Sequence, residues 1–87
     1  MTPPGEVRIE WSDEARADVR RIGRTAAMHI FDGVLRCAGS GGGDVVPLHG
    51  DMAGYFRLRV GDYRVLFALE QGTMRIFRVH HRREAYR

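Results

Sequence analysis

Lysine is absent from this chain of 87 residues, and all 14 of its basic side chains are arginine. Arginine stays charged at any useful pH and presents a planar fork of donors, so these cations suit the holding of phosphates better than the transfer of protons. Cysteine is nearly absent. Cys37 alone excludes an intramolecular disulfide, and its setting among Val34, Leu35 and Ala38 predicts a helix face near the core instead of a catalytic thiol. No apolar run approaches the roughly 20 residues of a membrane helix. The first residues, Met1 to Glu6, lack a basic segment followed by an apolar stretch, so a cytoplasmic address with no membrane partner is expected. There is no Cys-x-x-Cys, His-x-x-x-His or paired carboxylate, no Gly-x-Ser-x-Gly elbow and no phosphate-binding Gly-x-x-x-x-Gly-Lys loop, which leaves no metal and no cofactor to expect.

What is present is a globular composition, 44% hydrophobic and 29% charged. A chain of this length has room for one core, so residues 1–87 are expected to form a single domain. The charge is unevenly spread. Residues 1–52 carry six arginines against eight carboxylates, whereas residues 53–87 carry eight against three, so the last third is a cation of net +5 on a chain of net +3. Such asymmetry favours a nucleic acid or an acidic protein as partner.

The alternation from Glu6 to Trp11, with Val7, Ile9 and Trp11 on one side, predicts a strand. Ser12 follows as a helix N-cap, with Asp13 and Glu14 in the first turn and Ala15, Val19 and Ile22 as an apolar stripe. Gly23 closes that helix. Thr25 is placed to cap a second one bearing Ala27, Ile30, Phe31, Val34, Leu35 and Ala38 at helical spacing, and Gly39–Gly43 reads as a loop that continues neither helix. Tyr55 to Val60 and Tyr63 to Leu69 read as strands joined by Gly61-Asp62, a two-residue link suited to a type I′ or II′ hairpin. With that turn, Phe56, Leu58, Val60, Tyr63, Val65 and Phe67 share a face for the helices to cover, and Arg57, Arg59 and Arg64 share the other. Gln71-Gly72 marks a further turn before a last strand, Met74 to His80, whose register the pattern does not fix.

Arg59 opposite Arg64, with Arg57 nearby, is an arrangement that costs stability unless an anion is bound, or unless the side chains splay into solvent or pair with Asp62, Glu70 or Glu84. Arg82, Arg83 and two histidines at the exit of the last strand strengthen that reading. His80 and His81 are adjacent and would point to opposite faces of a strand. On RNA, an arginine-held phosphate can be attacked by its neighbouring 2′-hydroxyl if a base accepts the proton, cations stabilise the charge that develops, and an acid protonates the departing 5′-oxygen. The proton carriers on offer are His80, His81 and His49, with unperturbed values of about 6.5, and Tyr86, whose value of about 10 needs lowering by arginines.

Three segments then resemble the RelE/ParE superfamily of toxins from type II toxin–antitoxin pairs, more closely its RelE branch: Pro47-Leu48-His49-Gly50, Gly54 to Val65, and Val79 to Tyr86. The resemblance covers nearly the whole chain. It implies an α+β fold: an N-terminal strand, a two-helix hairpin and a three-stranded antiparallel meander, forming one sheet with the helices packed on one face. It implies cleavage of messenger RNA in the ribosomal A site without a metal, leaving a 2′,3′-cyclic phosphate, and silencing by a cognate antitoxin. The resemblance matches Arg57, Arg59, Arg64, Arg82 and Tyr86 to positions of the family's site. Together with the residues read above, Arg64, Arg82, Tyr86 and His81 are the expected catalytic residues, and Arg57, Arg59, Arg83 and His49 are expected to bind substrate. Two departures stand out. Some RelE members carry lysine where this chain has Arg57 and Arg59, and a related branch has glutamate where this chain has Val46, so the general base stays open among Tyr86, His81 and His49. The alternative is a ParE-like gyrase poison that binds protein and cuts nothing.

Overall fold

The computed structural model describes residues 7–83. The chain runs β1 (Arg8–Trp11), α1 (Asp13–Ile22), α2 (Arg24–Ser40), β2 (Asp44–Pro47), a short 3₁₀ turn (Gly50–Met52), β3 (Tyr55–Val60), β4 (Tyr63–Glu70) and β5 (Thr73–His81). The strands form one mixed sheet in the order β1-β5-β4-β3-β2, so the first strand pairs with the last, in parallel, and the rest pair antiparallel. Both helices pack on one face. Their Ala15, Val19, Ala27, Ile30 and Val34 meet Leu58, Val65, Phe67, Met74, Ile76 and Val79 from the strands, and these side chains are the core. The α+β architecture expected from the sequence is the one observed.

Local signals explain most element boundaries. Ser12 caps α1 by accepting the Ala15 amide hydrogen at 3.0 Å. The β3–β4 hairpin turns on Gly61 (φ 57°), with Asp62 at negative φ, as a type II′ turn requires. Three features differ from the sequence expectation. Helix α2 begins at Arg24 behind Gly23, which offers no side-chain cap, so Thr25 lies inside the helix and does not cap it. The same helix continues through Gly39 to Ser40 and is closed by Gly41 in the left-handed region, its N–H donating to the Cys37 carbonyl at 2.9 Å, so the glycine run is helix at its start. Finally, Asp44–Pro47 is a fifth strand, paired with Arg59 to Phe56 of β3, which its two adjacent valines did not announce.

Gly33 faces Val60 of β3 at close range. A Cβ there would stand 2.7 Å from Cγ2 of Val60, so only glycine lets the helix lie this near β3.

Candidate nucleic-acid interface

The β3–β4 register is the one that alternation gives: Leu58 faces Val65 under the helices, and Arg59 faces Arg64 on the open face. Extending across the sheet, Arg64 faces His80 on β5 and Arg59 faces Asp44 on β2, so Asp44, Arg59, Arg64 and His80 form one row across four strands. The next row on the same face, two residues along each strand, is Val46, Arg57, Leu66 and Arg78. Arg59 is exposed, and neither it nor Arg64 pairs with a carboxylate among the described residues. Arg64 instead turns toward the hairpin, Nη1 donating to the carbonyls of Gly61 (3.3 Å) and Tyr63 (3.1 Å).

His80 joins this row because β5 carries a bulge. Ile76 pairs with Phe67 and Arg78 with Leu66, so Phe77 is an extra residue opposite the Leu66–Phe67 step. Without it, strict alternation from Met74 and Ile76 would turn Arg78 and His80 toward the helices. With it, Val79 enters the core and His80 emerges beside Arg64. His81 therefore lies in the row of Tyr63 on the helix side, where the two rings meet edge to face with centroids 5.3 Å apart. Its Nδ1 accepts the Arg83 amide hydrogen at 3.2 Å.

The remaining predicted residues are placed as follows. Arg82 lies just past β5 against the hairpin turn, its amide N–H donating to the Asp62 carbonyl at 2.7 Å and its Nε 3.8 Å from Asp62 Oδ1. Arg83 is exposed beside it. His49 is exposed at the start of the 3₁₀ turn, next to Leu48, whose amide N–H donates to the Tyr55 carbonyl. That end of β3 is four residues from Arg59, roughly 13 Å along a strand, so His49 is not brought to the arginine row. Tyr86 lies outside the described residues.

The open face divides electrostatically. At its far end a cleft of about 440 Å³, lined by Glu10, Tyr55, Ala68, Glu70, Arg75 and Phe77, holds its single arginine between two carboxylates at 3.5 and 3.8 Å. A concavity with its charges already matched has little to offer an anion. The other end has more: no described carboxylate forms an ion pair with Arg59 or Arg64, although Asp44 stands across from Arg59 on β2. Cys37 is packed against the core, and burial pushes its thiol above the ordinary range, away from the thiolate a nucleophile needs.

One buried charge was missed from the sequence. Asp18 of α1 is 1% exposed and accepts from Arg78 Nε at 2.9 Å, Arg78 Nη2 at 3.2 Å, the Val79 amide at 2.8 Å and Arg21 Nη2. Burial alone would push its carboxyl up, but the hydrogen bonds from Arg78 and Val79 and the charges of Arg78 and Arg21 outweigh that and hold it below the usual carboxylate range. The signal was present: Asp18 stands on the stripe Ala15, Val19, Ile22, where a carboxylate is out of place unless it has a partner.

Compared with known proteins, residues 9–86 match the sequence model of a family described as the ParE toxin of the type II toxin–antitoxin system parDE. No curated protein matches. Among solved structures, the RelBE2 toxin–antitoxin complex from Mycobacterium tuberculosis has a chain of the same fold, with TM-score 0.79, 23% identity, and coverage of 87% of this chain and 98% of that one. The RelB–RelE complex from Methanococcus jannaschii gives 0.72 at 22% identity over 88% and 94%, and the YoeB–YefM complex from Staphylococcus aureus gives 0.74 at 17% over 87% and 97%.

Proposed function

The chain belongs to the ParE toxin family of type II toxin–antitoxin systems, and we propose, from its site and not from the family description, that this toxin acts as a metal-independent endoribonuclease on messenger RNA, working at the ribosomal A site and so arresting translation. The observation that carries the reading is the row Arg59, Arg64, His80: two arginines unpaired with carboxylates and a proton carrier side by side on an open sheet face. Arg57, Arg59 and Arg83 hold the RNA backbone, with His49 a more distant contact. Arg64 and Arg82 stabilise the charge that develops on the phosphate. The 2′-oxygen attacks phosphorus as a base takes its proton, the bond to the 5′-oxygen breaks, and an acid protonates that oxygen, giving a 2′,3′-cyclic phosphate and a 5′-hydroxyl. His80 is the carrier within the row. His81, one residue on, and Tyr86, outside the described residues, are the two others to be separated from it.

A cognate antitoxin is the proposed silencing partner. Met28, Phe31 and Leu35, 58%, 38% and 61% exposed at helical spacing on α2, give a protein partner an apolar stripe to cover. A cytoplasmic site of action goes with both partners, and no described helix is long and apolar enough to cross a membrane.

The family description favours a second reading, a ParE-like poison of DNA gyrase that acts by binding alone. Inducing the chain in cells separates the two. Transcripts with new 5′-hydroxyl ends are expected, lost in Arg64→Ala and reduced at least 100-fold in whichever of His80→Gln, His81→Gln and Tyr86→Phe removes the working group. Intact transcripts with a DNA-damage response would give the second reading instead.

A further inference from the structure

Strand β1 covers the outer edge of β5 only from Thr73 to Ile76. Beyond that point no strand among the described residues lies on the outer side of β5, and α1 takes over. The Ser12 amide donates to the Ile76 carbonyl at 2.8 Å, the Ser12 hydroxyl to the Phe77 carbonyl at 2.9 Å, and Asp18 Oδ2 accepts the Val79 amide hydrogen at 2.8 Å. These three contacts run along the bulged stretch. Asp18 also draws the Arg78 guanidinium to the sheet edge by two hydrogen bonds. A carboxylate removed from water this completely persists only where its partners are fixed, so its geometry and that of β5 are set together.

We propose that Asp18 is a positioning residue of the interface: by holding Val79 and Arg78 it fixes β5 past the bulge, so that His80 stands across from Arg64. The claim rests on the reading of the His80 row as the reacting site, and Asp18 itself touches no substrate. A slip of one residue past the bulge would exchange His80 for its neighbours on the open face. Asp18 opposes such a slip because only the observed register brings the Val79 amide to its carboxylate.

The test compares wild type with Asp18→Ala, which removes both arms, and Asp18→Asn, which keeps an acceptor for the Val79 amide without the charge. The readouts are the imidazole NMR signals of His80, the affinity for a short RNA and the cleavage rate of messenger RNA on ribosomes at saturating toxin. For Asp18→Ala the His80 signals are expected to move and the rate to fall at least tenfold, with RNA affinity within threefold of wild type. Asp18→Asn should fall between. A folded Asp18→Ala with wild-type His80 signals and rate, or with its loss confined to affinity, overturns the proposal. Should Asp18→Ala not fold, Arg78→Gln removes one arm alone; displaced His80 signals and a rate at least threefold lower are expected, and wild-type values in both count against it. If wild type leaves RNA intact, the nuclease reading fails, and the His80 signals alone decide the role of Asp18.

Discussion

Arg59 and Arg64 face each other directly across the β3–β4 hairpin, with no carboxylate paired to either among the described residues. Like charges at facing positions destabilise a sheet, so the free protein carries a cost that an anion relieves. Arg59→Ser should therefore stabilise the ligand-free chain by about 0.5 kcal/mol. It should also weaken RNA binding and reduce the slope of log affinity against log salt by about 0.7, the share of one phosphate contact on a single strand. Urea titration and binding at several salt concentrations check both, and a stabilised variant with unchanged binding would take Arg59 out of the interface.

Asp18 makes a pH prediction whose sign is fixed by the direction of its shift. Its carboxyl titrates lower in the folded chain than in the unfolded one, so its contribution is complete above the unfolded value of about 3.9 and is lost as pH falls through the lower folded value. Acidification from pH 5 should destabilise wild type more steeply than Asp18→Asn, with the two curves converging at the acid end. Thermal melts at half-unit intervals will show it, and parallel curves would mean that Asp18 titrates normally.

Gly33 predicts a substitution that breaks the propensity rule. Alanine in a helix interior is normally better than glycine by about 1 kcal/mol, yet here its methyl would press on Cγ2 of Val60, a β-branched side chain that is stiff at χ1. Gly33→Ala should give a net loss of about 1 kcal/mol, set against an overpacking cost of about 1–3 kcal/mol. In a double-mutant cycle with Val60→Ala the two changes should couple favourably.

Gln71 is the one described non-glycine residue at positive φ, 48°, in the turn it forms with Gly72. Gln71→Gly removes the crowding of a Cβ in the left-handed region, and part of the gain is returned as entropy of the unfolded chain. A net stabilisation of about 0.5 kcal/mol in urea is expected, and a loss would show that the glutamine side chain contributes contacts of its own.

How far the sequence carried depended on how local each determinant is. The β3–β4 hairpin was legible residue by residue, because six alternating apolar positions, three on each side of Gly61-Asp62, leave only one sensible pairing. Strand β2 was not, since Val45 and Val46 are too short a signal and its pairing energy comes entirely from β3. Which of His80 and His81 shares the open face with Arg64 was not legible either. Alternation on β5 reverses at Phe77, and what holds that reversal, Asp18, lies 61 residues from Val79 in the chain. Helix α2 outran its predicted end although Gly39 and Ser40 are exposed: the Ser40 hydroxyl donates back to the Arg36 carbonyl, and the left-handed residue that closes the helix is Gly41, two positions later than the first glycine of the run.

The parallel pairing of β1 with β5 also bears on synthesis. Made first, β1 must wait for the strand that separates it from β4, and Met74, Ile76 and Val79 reach the core only when that strand arrives. A ribosome that stops before Thr73 releases a chain with helices that have lost part of their floor and an open slot between β1 and β4, prone to capture by proteases. Under the proposed activity, a copy that ends before Thr73 also lacks His80 and Arg82, so the proposed site exists only in a nearly finished chain.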